Sequence, residues 1–385
     1  MAQQDKFKVE NNNPRILISG GGTGGHVFPA IAIADAIKMK YPEATILFVG
    51  AQEKLEMVAV PKAGYPIKGL WISGFDRSLS TRNFLFPVKV VNSIWQSFSI
   101  LSRFKPDVVV GVGGYASGPA LFAASLLKIP AVIQEQNSYA GVTNKILAAF
   151  AKKICVAFPD MEAVFPVEKL VLTGNPVRKN LYPSNLPSKE VACKFFDLDP
   201  SKKVVFVAGG SMGARTINQA IIEGKDLIQT YPDIQFIWQC GKFYAESCQN
   251  SESGKMRHVK VMPFIEDMAM AYQAADLIVS RAGALTIAEI CLLGKPALLV
   301  PSPNVAEDHQ TKNALSLQQN AAALTINDKD AKQDLLPEIF KHIENNDCLE
   351  ALGRNARRMG FPDAAEKLAD IILQYVPQDH KNLAK

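Results

Sequence analysis

The chain is 385 residues long, 48% apolar and 21% charged, with a net charge of +5, a length too great for one ordinary core and suited to two domains. Its six cysteines, Cys155, Cys193, Cys240, Cys248, Cys291 and Cys348, are scattered with no C-x-x-C pair, which argues against a disulfide framework or a structural zinc site and fits a reducing cytoplasm. The modest charge and the lack of a basic helix argue against a nucleic-acid reader.

Residues 1–14 are polar, hold no apolar core of signal-peptide type, and read as a disordered lead-in. Arg15 to Ser19 is an apolar run of strand length, and Ala30 to Lys38 is rich in helix formers and ends in a basic residue. Between them lies Gly20-Gly21-Gly22-Thr23-Gly24-Gly25-His26, so the glycines occupy a strand-to-helix turn. Glycine there permits positive φ and lets a ligand approach bare backbone, while the unpaired N–H groups of a helix start favour an anion. His26 falls at that positive end, where the dipole disfavours imidazolium and leaves a neutral ring able to accept a proton. A tight turn with a bystander histidine remains the plainer reading. Gly20, Gly22 and Gly25 also satisfy G-x-G-x-x-G. A dinucleotide site, however, wants an acid about 20 positions on, at the end of the second strand, and the strand Thr45 to Val49 ends in Gly50-Ala51-Gln52.

From Lys62 to Lys105 the chain carries Lys62, Lys68, Arg77, Arg82, Lys89, Arg103 and Lys105 against Asp76 alone, with Trp71, Phe75, Phe84, Leu85, Phe86, Trp95 and Phe98 among them. Basic residues beside aromatics fit a surface resting on an anionic membrane; core aromatics with solvated charges are the alternative. The uncharged stretch Val108 to Leu127 is broken by Gly113-Gly114 and Ser117-Gly118-Pro119 and reads as strand, loop and buried helix rather than a membrane span. Further strands are expected at Asp107 to Val112, Ala131 to Gln134 and Lys153 to Ala157. In open parallel sheets ligands bind at the strands' carboxyl ends, which turns the loops Gly111 to Gly118 and Gln134 to Gly141 toward His26.

The pattern pauses near Gly174-Asn175-Pro176-Val177-Arg178 and restarts at Lys203 to Ala208, followed by a second glycine turn, Gly209-Gly210-Ser211-Met212-Gly213. Strands are expected at Gln235 to Gln239, Val259 to Met262, Leu277 to Ser280 and Ala297 to Pro301. The expected class is α/β with two Rossmann-like domains facing a central cleft. After the strand Leu277 to Ser280 a helix start follows, with Thr286 as its cap, N–H groups to hold a diphosphate, and Glu289 to accept ribose hydroxyls. For Glu289 a first-turn acid complementing the dipole is the competing reading. Asp197-Leu198-Asp199 has the D-x-D form of metal-dependent transferases but precedes Pro200 and reads as a turn. No H-x-x-x-H or cysteine–histidine cluster offers a metal site. Asp363 to Leu373 is an amphipathic helix after a break at Gly360-Phe361-Pro362.

In combination GGGTGGHVFPA, GVGGYASGP, QEQNSYAGVTNK, GNPVR, GGSMGARTIN, FIEDMAMAY, SRAGALTIAEI and EDHQTKNA resemble the MurG family of bacterial peripheral transferases, over about Arg15 to Ala369. The resemblance implies a GT-B glycosyltransferase needing no cofactor or metal. Its domains would be an acceptor and membrane-facing domain at 15–176, a UDP-GlcNAc domain at 177–359, and a last segment, 360–385, packing back on the first. It implies inverting transfer of GlcNAc from UDP-GlcNAc to the 4-hydroxyl of MurNAc in lipid I, giving lipid II for peptidoglycan. The place would be the cytoplasmic face of the bacterial plasma membrane, with an anionic membrane surface and cell-wall synthesis and division proteins as partners. Carried over by position, His26 is the base, and Thr23, Gly24 and Gly25 line the sugar and diphosphate side. Asn137 and Arg178 reach the donor, Ser211 meets the diphosphate, and Ile265 lies along the uracil. Ala284, Leu285, Thr286, Ile287, Ala288 and Glu289 hold diphosphate and ribose, and Gln310 bonds sugar hydroxyls. Met212 stands where glutamine is frequent in the family. A UDP-sugar epimerase and an inactive UDP-sugar-binding protein of the same fold are the alternatives; the epimerase would want acidic catalytic residues, and the idle binder would dispense with His26.

Overall fold

The computed structural model describes residues 13–73, 86–210, 212–305, 308–377 and 380. The chain divides into two compact units, Met1–Arg178 with Asp363–Lys385, and Lys179–Pro362.

The first unit is built on strands β1 (Arg15–Ser19), β2 (Thr45–Ala51), β3 (Ile67–Leu70), β4 (Val108–Gly111), β5 (Ala131–Glu135), β6 (Lys153–Val156) and β7 (Leu170–Leu172). They form one parallel sheet in the order β3-β2-β1-β4-β5-β6-β7. Helices α1 (Gly24–Lys40), α2 (Glu56–Lys62), α3 (Phe86–Phe104), α4 (Ser117–Leu126) and α5 (Val142–Leu147) connect them. A parallel sheet is covered on both faces, so its central strands read as unbroken apolar runs. In β1, Leu17 joins the core with Val109, Leu121 and Phe104, while Ile16 and Ile18 join the opposite core with Ile33 and Ile37 of α1.

The second unit repeats the plan with β8 (Lys203–Ala208), β9 (Ile234–Gln239), β10 (Val259–Met262), β11 (Leu277–Ser280), β12 (Ala297–Leu299) and β13 (Leu324–Thr325), in the order β10-β9-β8-β11-β12-β13. Its helices are α6 (Lys189–Phe195), α7 (Arg215–Glu223), α8 (Lys225–Gln229), α9 (Ala245–Asn250), α10 (Met268–Ala274), α11 (Ala284–Leu293), α12 (His309–Gln319), α13 (Ala331–Ile343) and α14 (Asn346–Arg358). The last helix, α15 (Ala364–Leu373), belongs to the first unit and packs on α1, with Leu368, Ala369 and Ile372 in the core that holds Ile33 and Ile37. The exposed ion pair Lys40–Asp370 at 2.6 Å adds little to that contact.

Three differences from the sequence reading have simple causes. Helix α1 begins six residues before the expected Ala30, because Thr23 in extended geometry starts it and Gly24 and Gly25 serve as its first residues. The strands β3, β7 and β13 were not foreseen: they are edge strands of four, three and two residues with half-buried patterns, too short to leave a periodic signal. Thr286 does not cap α11; Gly283, at φ −68 and ψ 140, does, and Thr286 is the third helical residue.

Ile372→Ala removes a fully buried side chain from the α15–α1 contact and is expected to cost about 2–5 kcal/mol, read as a lower urea midpoint at unchanged m. A loss within the ±0.5 kcal/mol or so of an exposed substitution would mean that α15 does not dock there.

Candidate active site

In the first unit the strand order reverses between β1 and β4, and open parallel sheets bind ligands beside such a reversal. The loops after β1 and β4 meet backbone to backbone there. Gly21 N–H donates to the Gly113 carbonyl at 3.3 Å, and a side chain on Gly114, which has φ +84, would start 2.3 Å from the Gly21 oxygen. The buried Ser117 hydroxyl lies 2.8 Å from both the Ser19 and Gly113 carbonyl oxygens. From the other side the carboxylate of Glu56, 1% exposed, accepts from Gly22 N–H at 2.8 Å and Ala51 N–H at 2.9 Å. The acid that a dinucleotide site would place on a ribose is absent from the end of β2, and Glu56 braces the glycine turn instead.

His26 is the third residue of α1 and half-buried. Its Nδ1 lies 3.1 Å from Oε1 of Gln136. Gln136 is 2% exposed, and its amide nitrogen donates to the Val112 carbonyl at 2.8 Å and to Oε1 of Gln134. Gln134 donates to Oδ1 of Asn175 at 2.8 Å, and Asn175 donates back to the Gln136 carbonyl at 2.9 Å. Burial is the largest influence on the His26 pKa and pulls it below 6.5, against the Glu135 charge, the bonds to Gln136 and Val112, and the Glu56 charge. The ring is therefore neutral at pH 7, as expected, with loss of water rather than the helix dipole as the leading cause. Glu135, 2% exposed, holds the following loop. It accepts from Asn137 N–H and Gly141 N–H, both at 3.0 Å, and from the Asn144 amide at 2.8 Å.

The unit thus gathers Thr23, Gly24, Gly25 and His26 at one helix start, beside the loop that carries Asn137. The Thr23 carbonyl accepts from His26 and Val27 N–H, each at 3.1 Å, and no side chain caps the helix. Arg178 lies over the ring of Phe28, 4.9 Å from its centroid, which sets it against α1.

In the second unit the reversal falls between β8 and β11, and α7 and α11 follow those two strands. Neither helix has an acid in its first turn or a side-chain cap. Gly210 and Gly213 take φ of +74 and +79 in the turn before α7; Ser211 lies outside the described residues. Ala284 to Glu289 form the start of α11. Glu289 is the sixth helical residue, not a first-turn acid, and is 3% exposed with Oε2 accepting from the Tyr272 hydroxyl at 2.7 Å. Asn313 of α12 donates to the Ala282 carbonyl at 3.2 Å, tying that helix to the start of α11. On the same helix, Gln310 Oε1 accepts from Ser302 N–H at 2.8 Å. Ile265 is 3% exposed, in the segment after β10. Arg281 pairs with Asp328, which also accepts from the Thr216 hydroxyl at 3.0 Å.

The D-x-D aspartates do turn work. Asp199 accepts from Ser201 N–H at 2.9 Å, and Asp197, at φ +53, pairs with Lys260 at 2.7 Å. The sequence reading passed over Glu56 and gave no role to Gln134, Glu135, Gln136, Asn175, Tyr272 and Asn313, although each of those six lies in a motif quoted above. Beyond those motifs their signal is a polar side chain standing at or near the end of an apolar strand or inside a helix.

Two parallel α/β units, each with glycine-rich turns and uncapped helix starts beside its strand reversal, define a GT-B fold. The glycosyltransferase family 28 N-terminal domain matches residues 16–156 and the glycosyltransferase family 28 C-terminal domain matches residues 204–368. A UDP-N-acetylglucosamine--N-acetylmuramyl-(pentapeptide) pyrophosphoryl-undecaprenol N-acetylglucosamine transferase of Bacteroides fragilis is 50% identical over 98% of this chain and 100% of its own length. The protein of the same name from Phocaeicola vulgatus is 53% identical over 93% of this chain and 95% of its own. A crystal structure of Acinetobacter baumannii MurG superposes with TM-score 0.73 at 30% identity, over 94% of this chain and 99% of that one. The chain belongs to glycosyltransferase family 28, within the MurG family. That membership favours a transferase over the epimerase and the idle binding protein.

Glu56→Ala leaves the Gly22 and Ala51 N–H groups without their acceptor. The expected loss is roughly 2–6 kcal/mol, from two donors at about 1–3 kcal/mol each, measured by urea unfolding; an unchanged midpoint would show that the glycine turn does not depend on the carboxylate.

Proposed function

We propose that the chain transfers N-acetylglucosamine from UDP-N-acetylglucosamine to the 4-hydroxyl of the MurNAc in undecaprenyl-pyrophosphoryl-MurNAc-pentapeptide, giving lipid II for peptidoglycan. The observation that carries the reading is a neutral imidazole, His26, held at an uncapped helix start in a chain half identical over its whole length to transferases named for this reaction. His26 takes the proton of the attacking hydroxyl. The oxygen forms the β-1,4 bond to the anomeric carbon as the bond to UDP breaks, and inversion follows from the single displacement. Charge gathering on the departing diphosphate is met by N–H groups at the helix starts and by Arg178. Thr23, Gly24, Gly25 and Asn137 line the sugar side, Ser211 and the Ala284–Glu289 segment hold diphosphate and ribose, Ile265 flanks the uracil, and Gln310 bonds the sugar.

The acceptor is a lipid, and helix α3 supports a place on an anionic membrane at the cytoplasmic face. Val88, Val91, Trp95 and Phe98 are spaced along one stripe and are 54%, 69%, 72% and 42% exposed. The buried face includes Ser93 and Ser97, whose hydroxyls donate to the Val90 and Ser93 carbonyls of their own helix. An apolar stripe left toward solvent marks an interaction surface. Phe122 and Leu126 on α4 and Val142 and Ile146 on α5 are exposed as well, and Lys89, Arg103 and Lys145 lie on α3 and α5. Of the basic-aromatic residues read from the sequence, Phe75, Asp76, Arg77, Arg82, Phe84 and Leu85 lie outside the described residues. No described helix is long and apolar enough to cross a membrane.

Transfer of labelled N-acetylglucosamine to a short-chain lipid I analogue is expected to proceed in excess EDTA and to fall about 10²–10⁴-fold in His26→Ala. Protonation disables the base, so the acid limb of kcat is expected below pH 6.5, in the direction in which burial moves His26. Binding of UDP-N-acetylglucosamine without transfer would defeat the acceptor assignment. In a second assay, Trp95→Ser with Phe98→Ser should weaken co-sedimentation with phosphatidylglycerol vesicles while leaving transfer to the short-chain analogue unchanged; undiminished sedimentation would remove α3 from the membrane surface.

A further inference from the structure

The three buried amides behind His26 admit one orientation each. The Val112 and Gln136 carbonyls are backbone oxygens and can only accept. The Gln136 side chain must therefore present its NH2 to Val112, at 2.8 Å, and to Gln134 Oε1. Asn175 must present its NH2 to the Gln136 carbonyl, at 2.9 Å, which leaves its Oδ1 to accept from Gln134 at 2.8 Å. Gln134 in turn has only its oxygen left to receive Gln136. Turning any one of the three would set oxygen against oxygen at positions with 0–4% exposure, where no water relieves the unpaired groups.

The chain ends at Gln136 Oε1, an acceptor 3.1 Å from His26 Nδ1. A neutral imidazole has one N–H, and the nitrogen that carries it is set by the partner of the other. With an oxygen lone pair fixed in front of it, Nδ1 must carry the hydrogen, and Nε2 keeps its lone pair. The ring cannot turn away freely: a Cβ on Gly113 would lie 2.7 Å from both Nδ1 and Cε1, so the imidazole rests directly on that glycine.

We infer that Gln136, oriented by Gln134 and Asn175 and anchored on the Val112 carbonyl, is a positioning residue that locks His26 as the Nδ1–H tautomer and so makes Nε2 the nitrogen that takes the acceptor hydroxyl's proton. The inference rests on the transferase reading for the reaction it serves, while the tautomer itself is a property of the resting protein. In the step, the hydroxyl O–H bond breaks, its proton joins Nε2, its electron pair forms the glycosidic bond, and the pair of the broken C–O bond leaves with UDP. Nδ1–H keeps its bond to Gln136 throughout, which steadies the imidazolium as it forms. The charges that bear on the ring are Glu135 and Glu56, and both carboxylates are held by backbone or amide N–H groups.

The test uses the full chain labelled with 15N-histidine; there are five histidines, and the spectrum of His26→Ala assigns the one of interest. At a pH where His26 is neutral, the native protein should show a protonated, pyrrole-type Nδ1 and an unprotonated, pyridine-type Nε2. Gln136→Leu should lose that preference and lower kcat on the order of 10²-fold with little change in KM, at the lower end of what a general base contributes. Gln136→Glu keeps an acceptor toward Nδ1 and should return the Nδ1–H form, with the acid limb of kcat moved to higher pH by the added negative charge; its second oxygen, set against the Val112 and Gln134 oxygens, keeps kcat below the native value. An Nε2–H signal in the native protein, or a tautomer unchanged in Gln136→Leu, overturns the inference even if transfer is normal. If the native protein shows the Nδ1–H form but performs no transfer, the transferase reading fails and the tautomer lock stands.

Discussion

The first unit depends on two loops coming closer than side chains allow. Gly21 and Gly114 touch through bare backbone, and this brings the carboxyl ends of β1 and β4 together where the strand order reverses. Only then does the first turn of α1 reach the end of β5, placing His26 within hydrogen-bond distance of Gln136. Glycine alone does not hold such an arrangement, because its unfolded chain is the most flexible of all. Glu56 and Ser117 supply the restraint by bonding to backbone atoms of these loops, and Glu135 does the same for the loop after β5. The glycines make the approach sterically open, and the buried hydrogen-bonding side chains make it the lowest-energy one.

The same logic governs charge. Helices α1, α7 and α11 follow the strands at the two reversals, and none has an acid in its first turn or a side-chain cap. Most helix starts are neutralised by such groups. A bare start of this kind, which α4 and α5 share, presents a positive end that favours an anion. It also works against protonation of His26, although burial is the larger cause of its neutrality.

Much of the fold was legible because covered parallel strands announce themselves as apolar runs. β1, β8, β10 and β11 fall where the sequence places them, and the two glycine turns mark the strand-to-helix transitions on which the sites are built. What escaped was short or contextual. A two-residue strand such as β13 exists only because β12 pairs with it. Helix α1 was read as starting at Ala30 because Gly24 and Gly25 are poor helix formers, a preference that tertiary packing overrides. Of the site, His26 and the uncapped helix starts could be read, since glycine spacing and strand ends carry a mechanism. The roles of Gln134, Gln136 and Asn175 could not: an amide has no period and no charge, and its function lies in which end faces which neighbour.

Those residues nonetheless leave a trace once burial is known. Among the described residues of the first unit, Ser19, Glu56, Ser117, Gln134, Glu135, Gln136, Asn144, Thr173 and Asn175 are all buried. All of them lie at the carboxyl ends of strands, in the loops that follow or in the first turn of the next helix; Ser93 and Ser97, bonded within α3, are the buried polar residues that lie elsewhere in the described part of the unit. Apolar side chains of similar size would serve a core at least as well, because a buried polar group gains little net free energy even when fully bonded and loses heavily when it is not. Their concentration at one end of one sheet is therefore hard to attribute to stability. It follows if that end must hold a histidine in one protonation state and one tautomer while leaving its other nitrogen open, since only directional hydrogen bonds distinguish the two nitrogens of an imidazole ring.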